Sequence, residues 1–311
     1  MPGSPTISVI IPTYDEPERL LETLGSLANQ DHPAARTEII VVDDASPSFN
    51  AEPVQAAAGD ASLKLIRNAS NQGRARGRNR GIESAEGELL VFLDSDMTVE
   101  PDFLDAHASA HTTLPGRVAI GNIRFGEGIP ENCLTRYIDS RGVHRLTPGE
   151  EVPFKCFVTG NSSVDRGQLL QVGLFDEEFR QYGGEDLELG YRLHCSGMAF
   201  QYVPRAVSLH NHLRPFDKIC ALMRTYGSHS LPLLVKKHPQ LIDLVHLGFT
   251  RMNALSAKRL LYSCALAGVV HAPVQAVARV AIDYFVPDVV FDYIWWYHRT
   301  RGYLDQLHGR S

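Results

Sequence analysis

Two aspartates one residue apart, Asp94 and Asp96, close the run "LLVFLDSD". In a strand, side chains two apart point the same way, so both carboxylates would aim at one place. Their repulsion asks for a positive partner or for a divalent cation, which takes hard oxygen ligands. An acidic turn ahead of the helix that opens near Pro101 would explain one aspartate but not two on the same side. Asp43 and Asp44 end another apolar run, "TEIIVVDD", and Glu185 and Asp186 follow two glycines. A carboxylate within reach of a reacting hydroxyl can take its proton, although acids also gather at helix starts through the macrodipole alone. His210 and His212, two apart in "VSLHNH", could share a face as further metal ligands.

The elements that must position these groups alternate. "ISVIIP", "TEIIVVDD", "LKLIRN" and "ELLVFLD" are strand-like and are separated by helix-like stretches. This is the rhythm of a mostly parallel sheet covered by helices, and the unbroken apolar runs suit strands buried on both faces. Ligands bind beyond the carboxyl ends of such strands, where Pro12, Thr13 and Tyr14, the Asp43-Asp44 pair and the Asp94-Asp96 pair all fall. From Gly116 to about Val158 the sequence is irregular; two helical stretches and the strand "FQYVPRAVSLHNH" follow, and from Pro215 the chain is mainly helical.

With 311 residues and 44% apolar content, the chain can fill a sizeable core. A formal charge of −6 gives no general case for nucleic acid, and none is expected as a partner. Five cysteines without a CxxC pair indicate neither a zinc knuckle nor a complete disulfide framework. The N-terminus lacks a basic signal-peptide region, so a cytoplasmic location is expected. Residues 255–296 are rich in Leu, Ala, Val and Ile, but charges and prolines interrupt them before the ~20 residues of a spanning helix. A helical layer against the protein or a partner subunit is one reading of this region, leaving a homo-oligomer open; a membrane-surface helix pair, hence a membrane-peripheral location, is another. Neither GxGxxG nor a P-loop occurs, which argues against a dinucleotide enzyme and a P-loop nucleotidase.

In order, "VIIPTYDE", "IIVVDDAS", "NQGRARGRNRGI", "VFLDSD", "TGNSSV", "GLFDEEF" and "GGEDLELGYRL" resemble the motifs of the nucleotide-sugar glycosyltransferases of family 2 over roughly residues 7 to 212. The resemblance implies a GT-A fold, with a catalytic domain over 1–214 and a C-terminal helical region over 215–311. Its donor half would be about 1–115 and its acceptor half about 116–214. The GGED segment is similar to that of galactosyl- and N-acetylgalactosaminyltransferases. By this resemblance Pro12, Thr13, Tyr14 and Glu16 line a base pocket, and Asp44 accepts from the uracil ring nitrogen. Asp44 as a turn residue bonding its own backbone stays open beside that role. Asn71, Gly73, Arg78, Asn79, Asp94 and Ser95 carry over as donor contacts. Gly77 stands where the family usually has alanine, which weakens the helix slightly.

The family's DxD motif makes Asp96 a ligand of Mn2+ or Mg2+ bridging the diphosphate, with His210, or alternatively His212, as the later histidine. Gly160 and Asn161 would lie near diphosphate or acceptor, Gly184 and Glu185 near sugar hydroxyls, and Asp186 would be the base. The implied activity is inverting, metal-assisted transfer of a hexose or N-acetylhexosamine from a UDP-sugar to a hydroxyl of a glycan, a lipid-linked sugar or a small metabolite. A non-catalytic nucleotide-sugar-binding protein and a sugar nucleotidyltransferase are the alternatives. The intact Glu185-Asp186 pair speaks against the first, and the missing glycine- and lysine-bearing phosphate loop against the second.

Overall fold

The computed structural model describes residues 5–146, 150–253 and 255–309. The chain divides into two compact units: one takes the chain to residue 129 with 141–180 and 185–212, the other takes 130–140, 181–184 and the chain from 213. The sequence suggested one boundary near 214. The structure also draws 130–140 into the second unit, because Cys133, Leu134 and Tyr137 join its apolar core.

In the first unit the order is β1 (Ile7–Thr13), α1 (Pro17–Leu27), β2 (Thr37–Asp43), α2 (Ala51–Ala57), β3 (Ser62–Arg67), α3 (Arg74–Ser84), β4 (Leu89–Leu93), β5 (Met97–Val99), α4 (Phe103–Thr113) and β6 (Arg117–Phe125). A helix of the second unit, α5 (Cys133–Asp139), intervenes before β7 (Asn161–Asp165), α6 (Arg166–Val172), α7 (Glu185–Cys195) and β8 (Ala199–His210). The strands form one sheet in the order β3-β2-β1-β4-β7-β6-β8-β5. β1, β2, β3 and β4 run parallel, as do β6 and β8, whereas β7 pairs antiparallel with β4 and β6, and β5 with β8.

The central strands are apolar throughout because both faces are covered. Ile7, Val9 and Ile11 of β1 pack with Leu20, Leu24 and Leu27 of α1, while Ile10 faces the other core with Ala75 and Ile82 of α3. Gly81 lets α3 approach β1, since a Cβ there would lie 2.6 Å from the Ile10 Cγ2.

β6 lies inside the stretch that reads as irregular. Its apolar run Val118-Ala119-Ile120 is buried, but the register shifts between Ile120 and Asn122, and a Cβ on Gly121 would fall 2.0 Å from the Asn161 amide oxygen. β7 is a buried strand of polar residues. His107 Nε2 lies 3.0 Å from Asn161 Oδ1, His107 Nδ1 2.8 Å from Ser163 Oγ, and His111 Nε2 2.9 Å from the same hydroxyl. Burial holds both rings neutral, with His107 pushed down to about 3 and His111 to about 4.

The second unit adds α8 (Phe216–Thr225), α9 (Leu231–Lys237), α10 (Ala257–Ala265), α11 (Gly268–Ala281) and α12 (Asp288–Leu307) to α5. Tyr137 of α5 packs edge-on to Trp295 and against Phe291 of α12, and its hydroxyl donates to Asp292 at 2.8 Å. A single π-turn at Tyr226–Ser230 follows α8. There Gly227 and Gly302 permit backbone contact with α12, for a Cβ on Gly227 would stand 2.0 Å from the Arg299 carbonyl oxygen.

Candidate active site

β4 ends at Leu93, and the chain turns through Asp94, Ser95 and Asp96 into β5. The buried Thr23 of α1 fixes that turn, its hydroxyl donating to the Ser95 carbonyl at 3.0 Å. Antiparallel pairing of β5 with β8 sets Met97 opposite His210. The register therefore brings His210 Nε2 to 3.2 Å from Asp96 Oδ2, whereas His212 lies beyond the strand. An imidazole nitrogen and a carboxylate that face each other at this distance, in a partly buried place, suit a divalent ion. Among the described residues no group of three His, Cys, Asp or Glu side chains could hold a metal by itself.

The same turn meets α7 through a guanidinium. Arg78, buried on α3, places Nη2 at 3.0 Å from Asp94, and Nη1 at 3.2 Å from Glu185 and 3.9 Å from Asp186. Burial works against the charge on Arg78, yet Asp186, Asp94 and Glu185 outweigh it and raise its pKa. Three carboxylates around one guanidinium leave excess negative charge. It is expressed on Asp186, whose pKa burial and the neighbouring Glu185 push up to about 7 against the pull of Arg78. Thr159 orients that carboxylate: its hydroxyl donates to Oδ1 at 2.9 Å and its backbone N–H to Oδ2 at 3.3 Å. Thr159 was not singled out from the sequence, although it opens the "TGNSS" stretch that was. Gly184 and its predecessor Gly183 have φ of +98° and +80°, backbone that glycine adopts without strain at the entry to α7.

At the other strand ends Thr13 is buried and Tyr14 exposed, and Pro12 packs beside Gly77. The Glu16 carboxylate accepts from Arg19 at 2.8 Å, and Glu16 and Thr13 border a hollow with Phe49 and Asn50. Asp44 accepts from the Asn68 amide at 2.7 Å and from the backbone N–H groups of Gln72 and Gly73 at 2.9 and 2.8 Å. It thereby clasps the loop into α3; the backbone of its own turn is bound by Asp43, which accepts from the Ser46 N–H at 3.1 Å. About one of the roughly four lone-pair positions of the Asp44 carboxylate is left for a ligand. Gly73 has φ of +88°, and a Cβ there would come within 2.9 Å of the Arg180 carbonyl oxygen. Asn71 is exposed just ahead of it. Gly160 abuts the aspartate turn, where a Cβ would lie 3.4 Å from Asp94 Oδ2.

Three of the expected contact residues are buried and engaged within the protein. Asn79 is buried and turned to the loop before α7: its amide nitrogen donates to the Phe175 carbonyl at 2.9 Å and to Glu177 at 2.8 Å, and its oxygen accepts from Phe175 N–H. Asn161 is fully buried and donates to the Ala206 carbonyl and to Ser208, tying β7 to β8. Arg78 is buried beneath the three carboxylates it pairs with and positions them.

Residues 8–159 match the family described as glycosyl transferase family 2, and residues 143–215 that described as the N-terminal domain of galactosyltransferase. The chain is 31% identical over 251 residues to the glycosyltransferase YfnE of Bacillus subtilis (strain 168), covering 65% of this chain and 64% of that one. It is 29% identical over 280 residues to a validoxylamine A glucosyltransferase of Streptomyces hygroscopicus subsp. jinggangensis (strain 5008), covering 78% of this chain and 64% of the other. The chain thus spans less than two thirds of the length of these curated relatives. In fold it is similar to the mannosyltransferase PcManGT of Pyrobaculum calidifontis, solved with GDP-Man and Mn2+, with a TM-score of 0.64, 20% identity and coverage of 99% of this chain and 88% of that one. Staphylococcus aureus TarS 1-349 with UDP-GlcNAc gives a TM-score of 0.56 at 18% identity, covering 98% and 92%. Two adjoining family matches across the strand ends that carry the carboxylates, on a sheet of GT-A architecture, place this chain among the family 2 glycosyltransferases.

Proposed function

We propose that the chain moves a hexose or an N-acetylhexosamine from a UDP-sugar to an acceptor hydroxyl by a single displacement with inversion. The observation that carries this reading is Asp186, held by Thr159 beside Arg78 with its pKa near 7. A base poised near the working pH accepts the hydroxyl proton efficiently. As the acceptor oxygen bonds to the anomeric carbon, its proton passes to the Asp186 carboxylate, and the bond to the diphosphate breaks with its electron pair. Attack from the face opposite the leaving group inverts the configuration. Asp96 and His210 would hold a Mn2+ or Mg2+ ion, which supplies Lewis-acid neutralisation of the departing diphosphate.

Thr13, Tyr14 and Glu16 are the residues we assign to the nucleotide base, and the last acceptor position of Asp44 to the uracil N–H. Asp94 and Ser95 would face ribose or sugar. Glu185 Oε2 is buried without a hydrogen-bond partner, and a sugar hydroxyl brought beside it would satisfy it. The acceptor is a glycan, a lipid-linked sugar or a small metabolite; the likeness to a validoxylamine A glucosyltransferase favours the last.

The test is mass spectrometry of the chain with several UDP-sugars and with GDP-mannose, each with Mn2+, with Mg2+ or with chelator. The expected result is release of UDP from a hexose or N-acetylhexosamine donor, lost on chelation. Release from GDP-mannose alone would transfer the site to a guanine nucleotide. Turnover unaffected by chelation, or a product anomer of retained configuration by NMR, would remove the metal-assisted inverting mechanism.

A further inference from the structure

Helix α11 leaves a second apolar face uncovered. Val269, Ala272, Pro273, Ala276, Val277 and Val280 recur at spacings of three and four, the spacing of one helix face, and all are exposed. Val269 is 84%, Val277 66% and Val280 76% accessible. The inward face packs Val274 and Ala278 into the apolar core of the unit and also carries His271 and Gln275, which bond each other at 2.7 Å, and His298 of α12 reaches the same Gln275 oxygen at 3.0 Å. The preceding α10 turns Leu261 outward at 71%, and Phe285 beyond α11 is 75% accessible.

Among the described residues no single helix is long and apolar enough to cross a membrane, but α10 and α11, bent by 50° at their junction, together match a membrane segment in hydropathy and scarcity of charge. Core helices of a soluble unit reach that hydropathy by burying their apolar side chains, whereas here Leu261, Val269, Val277 and Val280 are left in contact with water. A contiguous exposed apolar face of this kind marks an interaction site.

Charge selects the partner. Between Asp243 and Asp283 the chain has no acidic residue and carries Arg251, Lys258, Arg259 and Arg279, although the whole chain is at −6. Arg279 pairs with Asp217 at 2.5 Å, while Arg259 donates to the Thr250 and Met252 carbonyls and keeps its charge. In a symmetric dimer the same face meets itself and sets base against base. An anionic bilayer accepts both features, with apolar side chains at the acyl boundary and bases among the phosphates. We propose that α10 and α11 form a docking surface for an anionic lipid bilayer, lying in its interface without crossing it.

Flotation of the full chain with vesicles of phosphatidylcholine alone, or of phosphatidylcholine mixed with phosphatidylglycerol, tests this without reading activity, so its outcome is separate from that of the proposed reaction. The expected result is binding to the mixed vesicles that weakens with added salt. Val277→Glu with Val280→Glu, both at exposed positions, should reduce it by roughly tenfold or more, with the thermal melt unchanged. Should that variant fold poorly, Lys258→Glu on exposed α10 should weaken binding to the mixed vesicles by about fivefold or more. Wild-type protein that floats with neither vesicle, or binding that the glutamate variants retain, overturns the proposal. So does a wild-type dimer that the double variant splits into monomers, with no vesicle binding by either.

Discussion

Asp186 binds a proton more tightly than an ordinary aspartate because burial, with the charge of the neighbouring Glu185, outweighs the pull of the Arg78 guanidinium. That gives one residue two opposite pH signatures. As a base it must be deprotonated, so kcat/KM should rise with pH through about 7 and level off above it. Stability should run the other way. Between the ordinary value of 3.8 and about 7 the folded chain holds a proton that the unfolded chain has released, so stability falls as pH rises across that window. Asp186→Asn should lower kcat by roughly 10²–10⁴-fold, remove the rising limb and leave UDP binding by calorimetry unchanged; wild-type turnover in this variant would exclude Asp186 as the base. At this scale the sequence revealed acids better than amides. Asp94, Asp96, Glu185 and Asp186 are legible because a carboxylate at a strand or helix end has few reasons to be there. Asn79 and Asn161 are not, since an asparagine is equally at home on a ligand or on a backbone carbonyl, and only the direction of the amide decides. Arg78 was legible as important, but its role depends on residues sixteen and more positions away.

Helix α3 is an arginine-rich element with glycine in its interior, and the two interior glycines differ in what surrounds them. A Cβ on Gly77 would meet only Pro12 Cβ, at 3.4 Å, an ordinary contact. Gly77→Ala should therefore stabilise the protein by up to about 1 kcal/mol through helix propensity, seen as a melting temperature higher by roughly 2–4 °C. Gly81→Ala is the control with the opposite sign, because its methyl would overlap the Ile10 side chain. The elements legible from the sequence are those buried on both faces, β1, β2 and β4, whose apolar runs need no partner to be recognised. β6 and β7 were hidden for separate reasons. Gly121 breaks the apolar run of β6 at its register shift, and β7 buries Asn161, Ser162 and Ser163, whose polarity is compensated in part by histidines 52 to 56 residues earlier on α4.

At the scale of the molecule, the helical unit is assembled from three separate stretches of chain. A fragment ending at residue 212 would keep α5 but lose Phe291, Trp295 and Asp292, the partners of Tyr137. Compared with the full chain, this fragment should aggregate or melt at lower temperature, as light scattering during a thermal ramp would reveal; equal behaviour would mean that α5 needs no such partners. The sequence, read for composition, showed a change of character near 214 and nothing of the earlier visits, because seven helical residues leave no compositional mark. The consequence reaches beyond stability. A genetic crossover at residue 212, the place where an exchange of modules looks simplest, would give offspring whose helical core is part native and part foreign. Substitutions in 130–140 and in the last hundred residues should therefore be inherited as a matched set.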